Sequence, residues 1–342
     1  MNILFDLGHP AHVHLFKNFI RYLSENDHKV TVTARDKDVT TVLLDHYKIP
    51  YLTLSKPQKG VFGMATELIS RDIQIMKLHR KHNFDVAFGT SVSIAHLSAI
   101  SKVKSYCFAD DDDDVIPLYT YLTYPFATKI INPIGLKFNK WKNKRVLYGS
   151  YQKLAYLHPD NFTPDPAIPR RYGMEPGKYI LIRNSALKAH HDRAAKGIGT
   201  DLQSEIDRIV SEYPTVLSKE NQKAKIEPWD MHHILAFAKL LITDSQSMTV
   251  EAAVLGVPNI RYNTFAGRIS CLEELEKKYN LTFGYRPGEE KNLIETLEKL
   301  LVTENLAEAW QEKRHRMLKE KEDFNQWLIN YFETEINKGY NA

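Results

Sequence analysis

The residues with the clearest chemical meaning are Ser245, Gln246, Ser247 and Glu251. They follow an apolar, β-rich run at 240–243 and open a segment of helical spacing, so small polar side chains fall on a strand-to-helix turn. The first N–H groups of a helix have no partner within it and stand at the positive end of its dipole. Together they attract a phosphate or diphosphate. Glu251 lies roughly two turns into that helix. From there a carboxylate can accept hydrogen bonds from the vicinal hydroxyls of a ribose whose phosphates rest on the helix start. A diphosphate cradle with a ribose carboxylate is the chemistry of a nucleotide-sugar site. The same residue types also serve as plain N-caps, with Asp244 or Ser245 bonding its own helix. Both roles stay open at this point.

A second group occupies the loop Gly8-His9-Pro10-Ala11-His12 after the opening strand. The glycine permits a tight turn. An imidazole there suits a base that takes the proton of an acceptor hydroxyl, or a group that binds a phosphate or sugar. His9 leads, His12 is second and His14 third; helix capping and local packing are the competing roles. Asp110 to Asp114 follow the strand-like run 104–108. Runs of like charge are usually solvated, yet Asp110 stands nearest the strand end and is the best-placed carboxylate, with Asp111 behind it. The run contains an Asp-x-Asp pattern of the kind that binds metal. A helix-based phosphate site holds a leaving group without an ion, so neither metal nor cofactor is expected.

Arg183 and Asn184 end the first strand of the second half. A guanidinium there suits a diphosphate whose charge grows as a sugar departs, or else a surface ion pair. His190, His191 and Asp192 follow, without an identifiable third and fourth metal ligand. Lys137, Lys140, Lys142, Lys144 and Arg145 interleave with Phe138 and Trp141. That patch is either a solvated loop or a landing site for an anionic lipid or lipid-linked acceptor.

These groups need a scaffold. The chain has 342 residues, enough for two domains. Short apolar strands are expected at 3–7, 29–33, 51–54, 86–89, 104–108, 129–132 and 146–148, and again at 178–183, 215–218, 240–243, 259–262 and 282–284. Segments of helical spacing separate them, as in Leu15, Phe16, Phe19, Ile20 and Leu23. That alternation implies parallel sheets built from βαβ crossovers, two doubly wound Rossmann-like α/β halves with a ligand cleft between their C-terminal edges. The proline-rich, aperiodic stretch around His158 to Pro169 marks a linker. The expected division is residues 1–157, linker 158–177 and 178–342, the last with a long charged helical region at its end. A net charge of +4 does not indicate nucleic-acid binding. Two distant cysteines read as reduced thiols. With no bilayer-length apolar run and no secretory leader, the cytoplasm is the expected setting, with peripheral contact at the inner membrane face through 137–145 as an extension.

Three segments resemble known proteins. Asp244-Ser245-Gln246-Ser247 with Glu251 and Gly256-Val257-Pro258 is similar to the donor-binding segment of the GT-B superfamily, which includes UDP-N-acetylglucosamine 2-epimerases and MurG-type glycosyltransferases. With Asp6-Leu7-Gly8-His9-Pro10-Ala11-His12-Val13-His14 and the run Tyr148 to Pro159, the chain resembles domain-of-unknown-function family 354. The resemblance implies a GT-B-like fold, the diphosphate on Ser245, Gln246 and Ser247, the ribose on Glu251, and an acceptor-side residue in the His9 loop. Gln246 and Ser247 stand where the superfamily often has glycine. The implied activity is transfer of a sugar from a nucleoside diphosphate sugar, a UDP-sugar first, to a sugar or lipid-linked hydroxyl acceptor in surface polysaccharide or glycolipid synthesis. A UDP-sugar 2-epimerase is the first alternative. That family carries a carboxylate where this chain has Gly89-Thr90-Ser91, and a His-Arg-x-Glu-Asn segment where it has Ile182-Arg183-Asn184. A non-catalytic nucleotide-sugar-binding protein is the second.

Overall fold

The structure, a computed structural model, describes residues 1–37, 39–138, 140–184, 197–219 and 226–341. The chain forms two compact units, Met1–Tyr156 with Glu322–Ala342, and Leu157–Lys321.

Among the described residues, the first unit is built on seven parallel strands: β1 (Asn2–Leu7), β2 (Lys29–Arg35), β3 (Leu52–Ser55), β4 (Val86–Gly89), β5 (Lys104–Phe108), β6 (Lys129–Pro133) and β7 (Arg145–Tyr148), in the order β3-β2-β1-β4-β5-β6-β7. The central strands are almost wholly buried, and mostly apolar, because helices cover both faces of the sheet. The Pro10–Glu25 helix supplies much of one cover. Pro10 stands at its first position, where a missing N–H costs nothing, and Val13, Phe16, Phe19, Ile20 and Leu23 are buried. Phe5 stacks on Phe88 at 5.3 Å, and Phe16 meets Phe108 edge-on at 5.0 Å.

The tail from Glu322 on, grouped by sequence with the second half, packs on this first unit. Phe332 meets Phe19 at 5.8 Å, Phe324 meets Tyr148 at 4.2 Å, and Ser150 Oγ donates to the Glu322 carbonyl. These partners lie far apart along the chain, so no local pattern reveals them.

The second unit holds five parallel strands among the described residues: β8 (Ile180–Asn184), β9 (Thr215–Lys219), β10 (Leu240–Thr243), β11 (Asn259–Tyr262) and β12 (Phe283–Tyr285), ordered β12-β11-β10-β8-β9. The stretch expected as an aperiodic linker contains a short helix, Ala167–Arg171, and is tied to this unit. Arg171 and Tyr172 both bond Asp230, and the Asp165 N–H donates to His233 Nδ1.

Strand order reverses beside β1 and β4 in the first unit and beside β8 and β10 in the second. In open parallel sheets, ligands settle outside the carboxyl ends of the strands at such switch points. The candidate residues of each unit stand there.

Candidate functional site

In the second unit, Thr243 at the end of β10 faces Arg183 in β8 and donates from Oγ1 to the Arg183 carbonyl at 2.7 Å. The same hydroxyl accepts the Ser245 N–H at 2.9 Å. Arg183 and Asn184 are half-buried, and Asn184 Nδ2 donates to Gln203 Oε1 at 2.9 Å. The Gln246–Leu255 helix starts at the turn. Ser245 is its N-cap, with Oγ accepting the Met248 N–H at 3.4 Å, and Gly256 closes it in the left-handed region at φ 70°. The capping role open in the sequence therefore belongs to the Ser245 side chain. Cap and helix together satisfy the N–H groups of Met248 and Thr249. The N–H groups of Gln246 and Ser247 precede any carbonyl the helix could offer, so they are the donors this turn could present to an anion. Gln246 and Ser247 are half-buried beside them.

Glu251 lies on the same helix, 7% exposed, with His232 Nε2 3.3 Å from its Oε1. His232 comes from the Met231–Ala236 helix and was not singled out from sequence. It lies 19 residues before Glu251 with no shared motif. Its ring fixes where the carboxylate points. Asn263, the residue after β11, braces the turn, donating to the Asp244 carbonyl at 2.8 Å. His190, His191 and Asp192 lie outside the described residues.

The first unit presents a different turn. His9 is the N-cap of the Pro10–Glu25 helix, and its Nδ1 accepts the Ala11 N–H at 3.2 Å. A neutral imidazole accepting at Nδ1 carries its proton on Nε2, so in this arrangement Nε2 is a donor. His12 Nδ1 accepts the Gly8 N–H at 3.2 Å, and the Thr90 hydroxyl lies 2.7 Å from the same nitrogen. Burial, with smaller contributions from Lys153 and Lys37, pushes the His12 pKa down to about 3. His12 is therefore neutral at pH 7 and a weak base. His14 is buried and stacked on Tyr156 at 5.3 Å, a core residue. Gly89 is required beside this turn, since a Cβ would come within 2.6 Å of the Asp6 carbonyl.

The acidic run is mostly not solvated; Asp114 is its exposed member. Asp112 is fully buried and accepts the Lys137 N–H at 2.6 Å. Asp113 pairs with Arg145 at 2.5 Å. Asp110 is half-buried, 3.3 Å from Lys153 Nζ, and Asp111 is half-buried beside it. The basic–aromatic patch is partly consumed by the same contacts. The Arg145 guanidinium lies 4.0 Å from the centre of the Phe138 ring, and Lys144 caps the Tyr124 and Pro125 carbonyls.

Beneath the His9 loop lies a charge network not expected from sequence. Arg71 donates to Asp6 at 2.5 Å and to Ser55 at 2.9 Å, while Ser55 and Arg35 both donate to Glu67 at 2.7 Å. Burial alone would raise the Glu67 carboxyl. The hydrogen bonds from Arg35, Ser55 and the Gln58 N–H outweigh it and hold the group below the usual carboxylate range. The network stiffens the ends of β1, β2 and β3 from which the loop departs.

No family model and no curated protein sequence matches the chain. Solved structures do. It is similar to the MnaA protein of S. aureus in a co-structure with UDP (TM-score 0.68, 15% identity, 98% of this chain and 97% of that one). It is similar to the UDP-GlcNAc 2-epimerase of Methanocaldococcus jannaschii in complex with UDP-GlcNAc and UDP (TM-score 0.63, 14% identity, 92% and 99%). The spinosyn forosaminyltransferase SpnP matches at TM-score 0.64 and 15% identity over 96% and 98%. At such identities the likeness speaks for the fold: two parallel-sheet α/β units of the GT-B-like kind, as epimerases and glycosyltransferases both have.

Proposed function

We propose that the chain binds a UDP-sugar on its second unit and transfers the sugar to a hydroxyl acceptor. One observation carries the reading. Arg183, Asn184, the N–H groups of Gln246 and Ser247, and Glu251 all belong to β8 or to the turn and helix that follow β10, the two strands at the switch point. A diphosphate on the helix start and a ribose near Glu251 match that spacing. Arg183 then meets the charge that grows on the diphosphate as the glycosidic bond breaks. UDP is the favoured nucleotide because several neighbours in fold carry UDP or UDP-GlcNAc in their names.

On the first unit, Asp110 is the favoured base. Its carboxylate lies just past the end of β5, 3.3 Å from Lys153 Nζ, whereas His9 offers a donor and His12 titrates too low. His9 Nε2–H and the Lys153 ammonium then orient the acceptor. The carboxylates of the acidic run already have protein partners, so the proposed chemistry is metal-independent.

Epimerisation at C2 of the sugar is the second reading, favoured by the names of several neighbours in fold. A thermal-shift screen of UDP-, GDP-, dTDP- and CMP-sugars tests the donor site, since a bound ligand stabilises the native state. Proton NMR of UDP-GlcNAc in D2O with the protein then separates the chemistries. Deuterium at C2 and a growing 2-epimer mean epimerase, and acceptor-dependent UDP release means transferase. No stabilisation by any nucleotide sugar would overturn both.

A further inference from the structure

The Gly60–His82 helix is apolar on two faces. Ile75 is fully buried against the sheet of the first unit, yet Ile69 and Ile73 are 59% and 50% exposed. Neighbouring segments continue that outer face with Ile100, Leu118, Tyr121 and Phe126, each at least 44% exposed. Contacts join the segments that carry these residues, the Val92–Ile100 helix packing on both the Gly60–His82 and Pro117–Thr123 helices. His96, from the Val92–Ile100 helix, bonds Asp72 at 2.8 Å and meets Phe126 edge-on at 5.3 Å. Lys140 Nζ sits 5.0 Å from the centre of the Tyr121 ring, which lies on the Pro117–Thr123 helix. Apolar surface of this extent on one side of a unit marks an interaction site.

The rim is cationic. Lys77 and Arg80 are exposed one and two turns beyond Ile73 on the same side of their helix, Lys102 follows Ile100, and Lys140 is exposed beside Tyr121 with Lys142 exposed two residues on. The nearby acids largely have partners within the unit, Asp72 in His96 and Asp113 in Arg145; Asp114 stays exposed. We propose that this face docks on an anionic lipid surface, its isoleucines and aromatic rings entering the headgroup boundary while the lysines meet lipid phosphates. A second copy of the chain would set one cationic rim against another, whereas an anionic bilayer complements both parts of the face. Among the described residues no helix is long and apolar enough to cross a membrane, so the contact is peripheral. The inference is independent of which sugar reaction the chain performs.

The test is co-sedimentation of the full chain with phosphatidylglycerol/phosphatidylcholine vesicles against pure phosphatidylcholine. The wild type should pellet with the anionic vesicles and be released by high salt. Ile69→Asp with Ile73→Asp, and separately Lys140→Glu with Lys142→Glu, should each weaken partitioning about tenfold or more, with an unchanged melting temperature confirming the fold. The proposal fails if the wild type stays in the supernatant or if both double variants pellet as well as it does. It also fails if sedimentation velocity shows a wild-type dimer that the isoleucine variant splits while no vesicles bind; the face would then join two copies.

Discussion

The two strand-to-helix turns at the switch points are built alike and left in opposite states. Each has a side-chain N-cap, His9 Nδ1 in one and Ser245 Oγ in the other. In the first unit the helix start is used up. Pro10 has no N–H, and imidazoles accept those of Gly8 and Ala11. In the second unit the cap takes only the Met248 N–H, and Gln246 and Ser247 keep theirs pointing outward from the helix start. One turn thus offers imidazole and ammonium groups and the other backbone donors with a carboxylate two turns on. The second is the turn suited to a diphosphate, which favours the proposed donor site on the second unit and the proposed acceptor chemistry on the first.

That assignment can be broken in four ways. The largest effect should come from Asp110→Asn. Removing a general base typically costs about a hundred- to ten-thousand-fold in rate, so kcat for acceptor-dependent UDP release should fall on that scale with nucleotide affinity unchanged. A larger loss in His9→Ala would move the base to the imidazole and mean that the helix cap opens during turnover. Next, Glu251→Ala should weaken UDP binding by about 1–3 kcal/mol, the cost of losing charge-assisted hydrogen bonds. Calorimetry finding equal affinity in a folded variant would end the ribose assignment.

The third effect concerns acid. His12 has a folded pKa of about 3 against an ordinary 6.5. On acidification the unfolded chain therefore takes up this proton first. The stability His12 contributes is complete above about pH 6.5 and drains away as pH falls toward 3. His12→Asn should flatten the loss of stability between pH 7 and pH 4 by about 1–2 kcal/mol, discounted for partial exposure. Urea titrations at both pH values read this directly, and an unchanged slope would show that the ring is protonated in the folded state. The smallest expected effect is none: turnover should survive EDTA. An absolute divalent-ion requirement would turn the Asp110 loop into a metal site and displace its present partners.

Much of the scaffold was legible because parallel strands covered on both faces read as short apolar runs. The expected 86–89, 104–108, 240–243 and 259–262 agree with β4, β5, β10 and β11 residue for residue. Edges slipped where the pattern fades, as at β12, which runs one residue later than expected, and at β8, which starts two residues later. The turn carrying Ser245 and Glu251 was legible as a local motif. What was not legible depends on partners distant in sequence. Asp112 and Asp113 looked solvated because the Lys137 N–H and Arg145 that hold them lie 25 and 32 residues on. Arg71 and Asp6, 65 residues apart, gave no sign of pairing. The roles of His9 and His12 turn on which ring nitrogen accepts a hydrogen bond, and residue identity does not reveal that.

The return of the tail to the first unit has a consequence for how the protein is made. Phe332 fills the space against Phe19 and Phe88, and Phe324 lies tilted against Tyr148. A nascent chain therefore emits nearly all of the first unit early, yet cannot seal its aromatic core until the helices from Phe324 on have left the ribosome. The second unit, contiguous in sequence, is free to fold first. Through that interval the first unit waits with an open seam. Vectorial synthesis usually favours the N-terminal domain; here a chain cut short before Glu322 would leave that earlier unit without part of its core.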